Sequence, residues 1–196
     1  MPIGSRCLVA AAIAAAVSLS VSVMATGPAD ATVVRALDLS QKAHVARAIV
    51  LGRVEKQEAR WIIENGAIKT IVTMRVEKAL KGDVAVGKTI QVVMPGGQIG
   101  DFVHKVSGTS TFERGERAVM FLEPHPDGWV EIGIGIGKYG IQSVNGKPVV
   151  THDPLVTVAT VSGDEPMKLE PPKAMKPMLL AAFLTEVRTA LRTEAK

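Results

Sequence analysis

Cysteine is almost missing from this chain: Cys7 is the only one in 196 residues, so no intramolecular disulfide can form. Aromatic residues make up 4% of the sequence, too few for a stacking platform along a nucleic-acid groove. Blocks of one charge sign are also absent. Stretches such as "RVEKQEAR" and "FERGER" mix both signs, which argues against a field aimed at nucleic acid or a membrane surface. The four histidines, His44, His104, His125 and His152, share no metal-type spacing, and neither HExxH nor CxxC occurs. We therefore expect neither metal nor cofactor. GxSxG is absent too, so Ser107, Thr109 and Ser110 in "VSGTST" read as a polar loop rather than a nucleophile.

The chain opens with one positive charge at Arg6, an apolar run from Cys7 to Ala25, and small residues before a polar segment. That layout predicts a secretory signal peptide over residues 1–25, cleaved before Thr26, with Ala29-Asp30-Ala31 as a later exit. An anchor helix is the alternative, and Ser18, Ser20 and Ser22 weaken it. Cleavage removes Arg6 and no acid, taking 23 basic and 19 acidic residues to 22 and 19. The lone cysteine leaves as well. The expected product is secreted or periplasmic, without a membrane span, and must rely on an ordinary hydrophobic core.

Val, Ile and Ala dominate the remainder and favour strands. "DLSQKAHVAR" predicts a short helix capped by Asp38 or Ser40, with Leu39, Ala43 and Ala46 on one face. A long strand follows in "AIVLGRVEKQEARW", with Gly52 hinting at a bend. An Asn65-Gly66 turn leads to Ile68–Val76, where Ile68, Thr70, Val72, Met74 and Val76 alternate with polar residues. Further strands are predicted over Thr89–Met94, Arg117–Glu123, Trp129–Ile136, Tyr139–Val144 and Pro148–Thr151. Residues 36–160 thus form a mainly β domain. Residues 161–177 read as a Pro/Lys/Glu linker, and residues 178–194 as a helix with the stripe Leu180, Leu184, Val187 and Leu191.

The succession "ARAIVLGRVEKQEARW", "IKTIVTMRVEKALKGD", "KTIQVVMPGG" and "FERGERAVMFLE" resembles the netrin/tissue-inhibitor-of-metalloproteinase-like modules of bacterial secreted proteins. It covers roughly Ala43 to Glu123, and its signatures are structural turns. The resemblance implies an OB-like five-stranded closed barrel, to which the residues read above add an extra hairpin, a short N-terminal helix and a C-terminal amphipathic helix. It also implies an exported metallopeptidase as a partner. Animal inhibitors of this superfamily chelate the protease zinc through a disulfide-bonded N-terminal cysteine. Here the chain would begin at Thr26 or Thr32 without cysteine, so that mechanism does not carry over.

"GIGIGKYG" matches a dinucleotide fingerprint at Gly135, Gly137 and Gly140, but the glycines sit around a strand rather than before a helix. They read as places where another segment passes close. Glu113 and Glu116 beside Arg114 and Arg117 read as a solvated turn, not an acid–base pair. Asp101 and His104 are the nearest approach to a metal pair, and loop residues of this kind commonly face solvent. The segment "MPGGQIGDFVHKVSGTST" is long for a strand connection. With the turn at Lys81-Gly82-Asp83 it is the expected contact edge for a protein partner, using Lys81, Asp83, Gly96, Gly97, Asp101, Phe102, His104 and Lys105. The expected function is a non-catalytic binding or accessory module. A carbohydrate- or cell-surface-binding domain, with Trp61 or Trp129 as platform, is the second reading, and an enzyme the third.

Overall fold

The computed structural model describes residues 33–62, 66–152, 157–160, 168–170 and 174–193. The expected signal peptide, Asn65 of the predicted turn and parts of the predicted linker lie outside them. In chain order the elements are β1 (Val33–Arg35), α1 (Leu39–Val45), β2 (Ala48–Ile62), β3 (Ala67–Lys81), β4 (Thr89–Pro95), β5 (Gly97–Ile99) and β6 (Phe102–His104). There follow β7 (Arg117–His125), β8 (Gly128–Glu131), β9 (Lys138–Val144), β10 (Lys147–Thr151), β11 (Thr157–Thr160), β12 (Lys168–Glu170), β13 (Met178–Leu179) and α2 (Leu180–Thr193). The chain is mainly β, as the sequence suggested.

Asp38 starts α1 through a capping box: its carboxylate accepts from the Gln41 N–H, while the Gln41 side chain accepts from the Asp38 N–H. The strand after it, β2, is the backbone of the molecule. It pairs antiparallel with β3 along its length and with β7 over Ala48–Arg53. Register shifts against β3 fall at Ile49/Val50, Leu51/Gly52 and Val54/Lys56, so the strand bends where Gly52 suggested it would. A Cβ at Gly52 would lie 2.5 Å from Met74 Cγ and 2.9 Å from the Arg75 carbonyl oxygen. Only glycine lets the two strands approach this closely.

The main sheet has eight strands in the order β13-β10-β9-β7-β2-β3-β4-β8, against an expected five with an extra hairpin. The expected hairpin, β9–β10, joins the sheet through β7, and the strand that was not foreseen is β13, which pairs with β10. Strand β8 also pairs with β7, and β4 meets β8 in parallel at Val92–Trp129. Pairings therefore run from β2 through β3, β4, β8 and β7 back to β2.

Alternation along β2 and β7 feeds two cores. Ala48, Val50, Val54, Ala118, Met120 and Leu122 join Val72, Met74, Val92 and Met94 within the circuit of strands. Ile49, Leu51, Val119 and Phe121 point the other way, against Ala43 of α1 and Leu180, Phe183, Leu184 and Val187 of α2. The predicted C-terminal stripe thus docks on its own sheet, and helix begins at Leu180 because Met178–Leu179 pair with β10.

Two further expectations change. The strand predicted over Trp129–Ile136 stops at Glu131, because Gly133 and Gly135 adopt φ of 56° and 72°, outside strand geometry. Within the predicted linker, β12 pairs with β11, so this stretch is not all connection. Among the described residues, no helix is long and apolar enough to cross a membrane.

Candidate functional site

The long loop after β4 is folded back on itself. Gly97–Ile99 and Phe102–His104 make a two-stranded hairpin turned by Gly100 and Asp101. Its base is fixed to β3. The Gly96 N–H donates to the Ile68 carbonyl at 2.9 Å, Thr70 Oγ1 donates to the Gly96 carbonyl at 2.8 Å, and the Ile68 N–H donates to His104 Nδ1 at 3.3 Å. Gly96 and Gly97 have φ of 86° and 147°, and added Cβ atoms would lie 2.6 Å from the His104 carbonyl oxygen and from Thr70 Oγ1, respectively. The glycines that flagged this loop serve its folding.

The hairpin holds apolar side chains out in solvent. Phe102 is 67% exposed and Val103 55%, and the Phe102 ring meets Trp61, 43% exposed, edge to face at 5.5 Å between centroids. A shallow pocket lies between them, lined by Trp61, Ala67, Ile68, Val103 and His104. Nearby in sequence, Lys69 at the start of β3 pairs with Asp127 of the β7–β8 turn at 2.6 Å. That contact holds the Asp127 carboxyl below its ordinary pKa.

Of the residues expected at the contact edge, Gly96, Gly97, Asp101, Phe102, His104 and Lys105 belong to this hairpin and its exit. Lys81 and Asp83 do not join them. Lys81 ends β3 at the end away from Ile68 and donates to the Ala43 and His44 carbonyls at the close of α1, at 2.8 and 2.7 Å. Gly82 packs there against the Arg47 carbonyl. Proximity in sequence to the loop did not translate into proximity in space, because a fifteen-residue strand separates its two ends.

Beside the hairpin, a cleft of about 520 Å³ opens at the mouth of the inner core. Val72, Met94 and Phe112 form its floor, and Thr70, Thr109 and Ser110 are among its polar lining. The Gln57 side-chain amide donates to the Phe112 carbonyl and helps hold this floor in place. Thr109 Oγ1 is buried without a hydrogen-bond partner among the described residues.

A second polar cluster, which no contiguous sequence motif marks, lies inside the outer core. Lys42 of α1 is 5% exposed, and its Nζ donates to Tyr139 Oη at 2.9 Å and to His152 Nε2 at 3.2 Å. His152 Nδ1 donates to the Lys138 carbonyl at 2.8 Å, and its ring stacks on Tyr139 at 4.2 Å. Because Nδ1 carries the proton, Nε2 of the neutral ring is free to accept from Lys42. Burial pulls the Lys42 pKa down to about 8, opposed by the negative charges of Glu131 and Asp38. Burial raises that of Tyr139. Glu131 is itself buried, and its Oε1 accepts from the Gly137 and Lys138 N–H groups at 2.8 Å. Burial pushes its pKa up, and Oε2 has no hydrogen-bond partner among the described residues. Lys42 sits three positions after Leu39, on the face that also carries Ala43. That placement was the available signal that its ammonium group would be drawn inward.

Gly137 has the close approach expected of the glycine run, since a Cβ there would lie 2.9 Å from the Phe121 carbonyl oxygen. Among the described residues, no group of three or more His, Cys, Asp or Glu side chains stands ready to hold a metal ion. No family model matches the chain, and no curated protein matches it.

Proposed function

We propose that this chain is an exported, non-catalytic binding module of the netrin/TIMP-like kind, built on an OB-type five-stranded barrel and contacting a protein partner through the hairpin edge. Five observed pairings in circuit, with β4 and β8 parallel, support the barrel reading. In OB folds, ligands use the second and third strands together with the connections after the first and fourth. The corresponding elements here are β3, β4, the β2–β3 connection and the β7–β8 turn. Trp61, the Lys69–Asp127 pair and the hairpin all belong to that region.

The observation that carries the reading is the exposed Trp61–Phe102 pair with Val103 beside it. Aromatic side chains held in place at a solvent-facing edge are what protein contacts use as anchors. An exported metallopeptidase remains the first partner to examine, on the strength of the sequence resemblance. The second reading, carbohydrate binding, is favoured by the same Trp61 ring. Trp129 is packed against the inner core and offers less of a platform.

A photo-crosslinking residue in place of Phe102, expressed in the producing cell, tests the proposal against the same residue at Val144, which is also exposed. One extracytoplasmic protein joined from position 102 and not from 144 is the expected result. Equal products from both, or none, overturn it. Retention on polysaccharide that is lost in Trp61→Ala would then select the second reading.

A further inference from the structure

The cleft at the mouth of the inner core shares Gly96, Gly97, His104 and Lys105 with the hairpin but does not include the exposed Trp61–Phe102 pair, and its occupant is independent of the partner proposed above. Its floor is apolar and continuous with the core: Val72 is fully buried, Met94 4% exposed and Phe112 8%. At about 520 Å³ it is of the size that takes a small organic molecule, and the mouths of β-barrels are among the places where such sites form.

The polar groups around it have a definite sense. Thr70 spends its hydroxyl proton on the Gly96 carbonyl, and Gln57 spends an amide proton on the Phe112 carbonyl. His104 accepts the Ile68 N–H at Nδ1, which leaves the neutral ring's proton on Nε2 as a donor. Lys105 lines the cleft, lies exposed at its rim, and makes no ion pair or hydrogen bond among the described residues. Among the described residues, no aspartate or glutamate lines the cleft. Thr109 Oγ1 is buried and has no hydrogen-bond partner among the described residues.

From these we infer that the cleft is a binding site for an apolar carboxylate, whose body lies on Val72, Met94 and Phe112 and whose head meets Lys105 and the His104 Nε2–H. An uncharged sugar would use the hydroxyls but leave the floor unfilled, and a cation would meet no counter-charge. A free small carboxylate and the C-terminal end of a peptide share this chemistry.

The test is a titration of the purified protein with 3-phenylpropanoate, 3-phenylpropanamide, and acetyl-Ala-Phe in its acid and amide forms, followed by methyl NMR at Val72 and Met94. Saturable shifts at both methyls are expected from the acids, with the amides at least tenfold weaker. In Lys105→Ala, an exposed position that leaves the fold intact, acid and amide should become equal. A dipeptide acid that binds at least tenfold more tightly than phenylpropanoate identifies a chain end as the source, and the reverse order a free carboxylate. Absence of saturable shifts at Val72 and Met94, or equal binding of acid and amide to the unaltered protein, overturns the site. Loss of crosslinking at position 102 would leave this outcome untouched.

Discussion

The amino group of Lys42 stands 2.9 Å from the phenol oxygen of Tyr139, inside a core where the two residues are 5% and 3% exposed. An ammonium ion in that position links α1 to the sheet and, through the Tyr139–Phe183 ring contact, to α2. Its placement costs solvation that the negative charges of Glu131 and Asp38 only partly return.

Stability should therefore climb with pH in a window set by Lys42. Unfolded, the side chain keeps its proton up to its model value of 10.5, whereas folded it releases it near 8. Between those values the unfolded chain binds more protons, so this contribution is complete above 10.5 and is lost as pH falls through 8. The size is on the order of 3 kcal/mol. Urea unfolding from pH 7 to 10.5 should show the rise, and Lys42→Met should flatten it. Parallel curves for the two proteins would contradict the assignment.

Glu131 predicts a change of opposite sense. Its raised pKa means that its contribution is present below the ordinary glutamate range and is lost as pH rises through the folded value. Glu131→Gln keeps an oxygen for the Gly137 and Lys138 N–H groups and removes the carboxyl whose ionised form burial disfavours. Thermal unfolding at pH 7 should show a variant more stable by about 1 kcal/mol. The gain should shrink toward pH 4.

Close strand approach gives a third expectation. Gly52→Ala forces a Cβ against Met74 and the Arg75 carbonyl and should cost about 2 kcal/mol or more. Gly100→Ala meets nothing within 4 Å, and only its φ of 59° opposes it, so about 1 kcal/mol is expected. Denaturant midpoints of the two variants measure the difference directly.

Phe102→Ala should leave global stability within about 0.5 kcal/mol, since the ring is 67% exposed. It also removes the edge that rests on Trp61. Acrylamide quenching of the tryptophan emission should increase, whereas unchanged quenching would mean that the ring contact does not persist in solution.

Much of this architecture could be read from local pattern. The alternation of Ile68–Val76, the Asp38 cap and the bend at Gly52 each reflect short-range chemistry. The α2 stripe likewise announced its buried face. What stayed hidden depends on residues far apart along the chain. Nothing near Arg117–Leu122 states that this strand pairs with β2, and so the eight-strand order could not be seen. Lys81 and the glycine hairpin looked adjacent because they flank neighbouring strands, yet they occupy opposite ends of β3. Ile132, Ile134 and Ile136 kept the period of a strand while positive φ at the glycines between them ended it. For the candidate site, the hairpin residues were legible from their glycines. Trp61 reads from sequence only as a sugar platform, and its pairing with Phe102 was not legible, because it reaches Phe102 from the far end of β2.

Strand β2 is a wall shared by two cores, with Ala48 and Val50 on one side and Ile49 and Leu51 on the other. Neither core can be dismantled while the other stays whole, because loosening the strand releases both faces at once. Unfolding should accordingly be one concerted event. Its formation waits on β7, whose register with β2 spans much of the chain, so the rate of folding is set by that distant encounter rather than by the early β2–β3 hairpin.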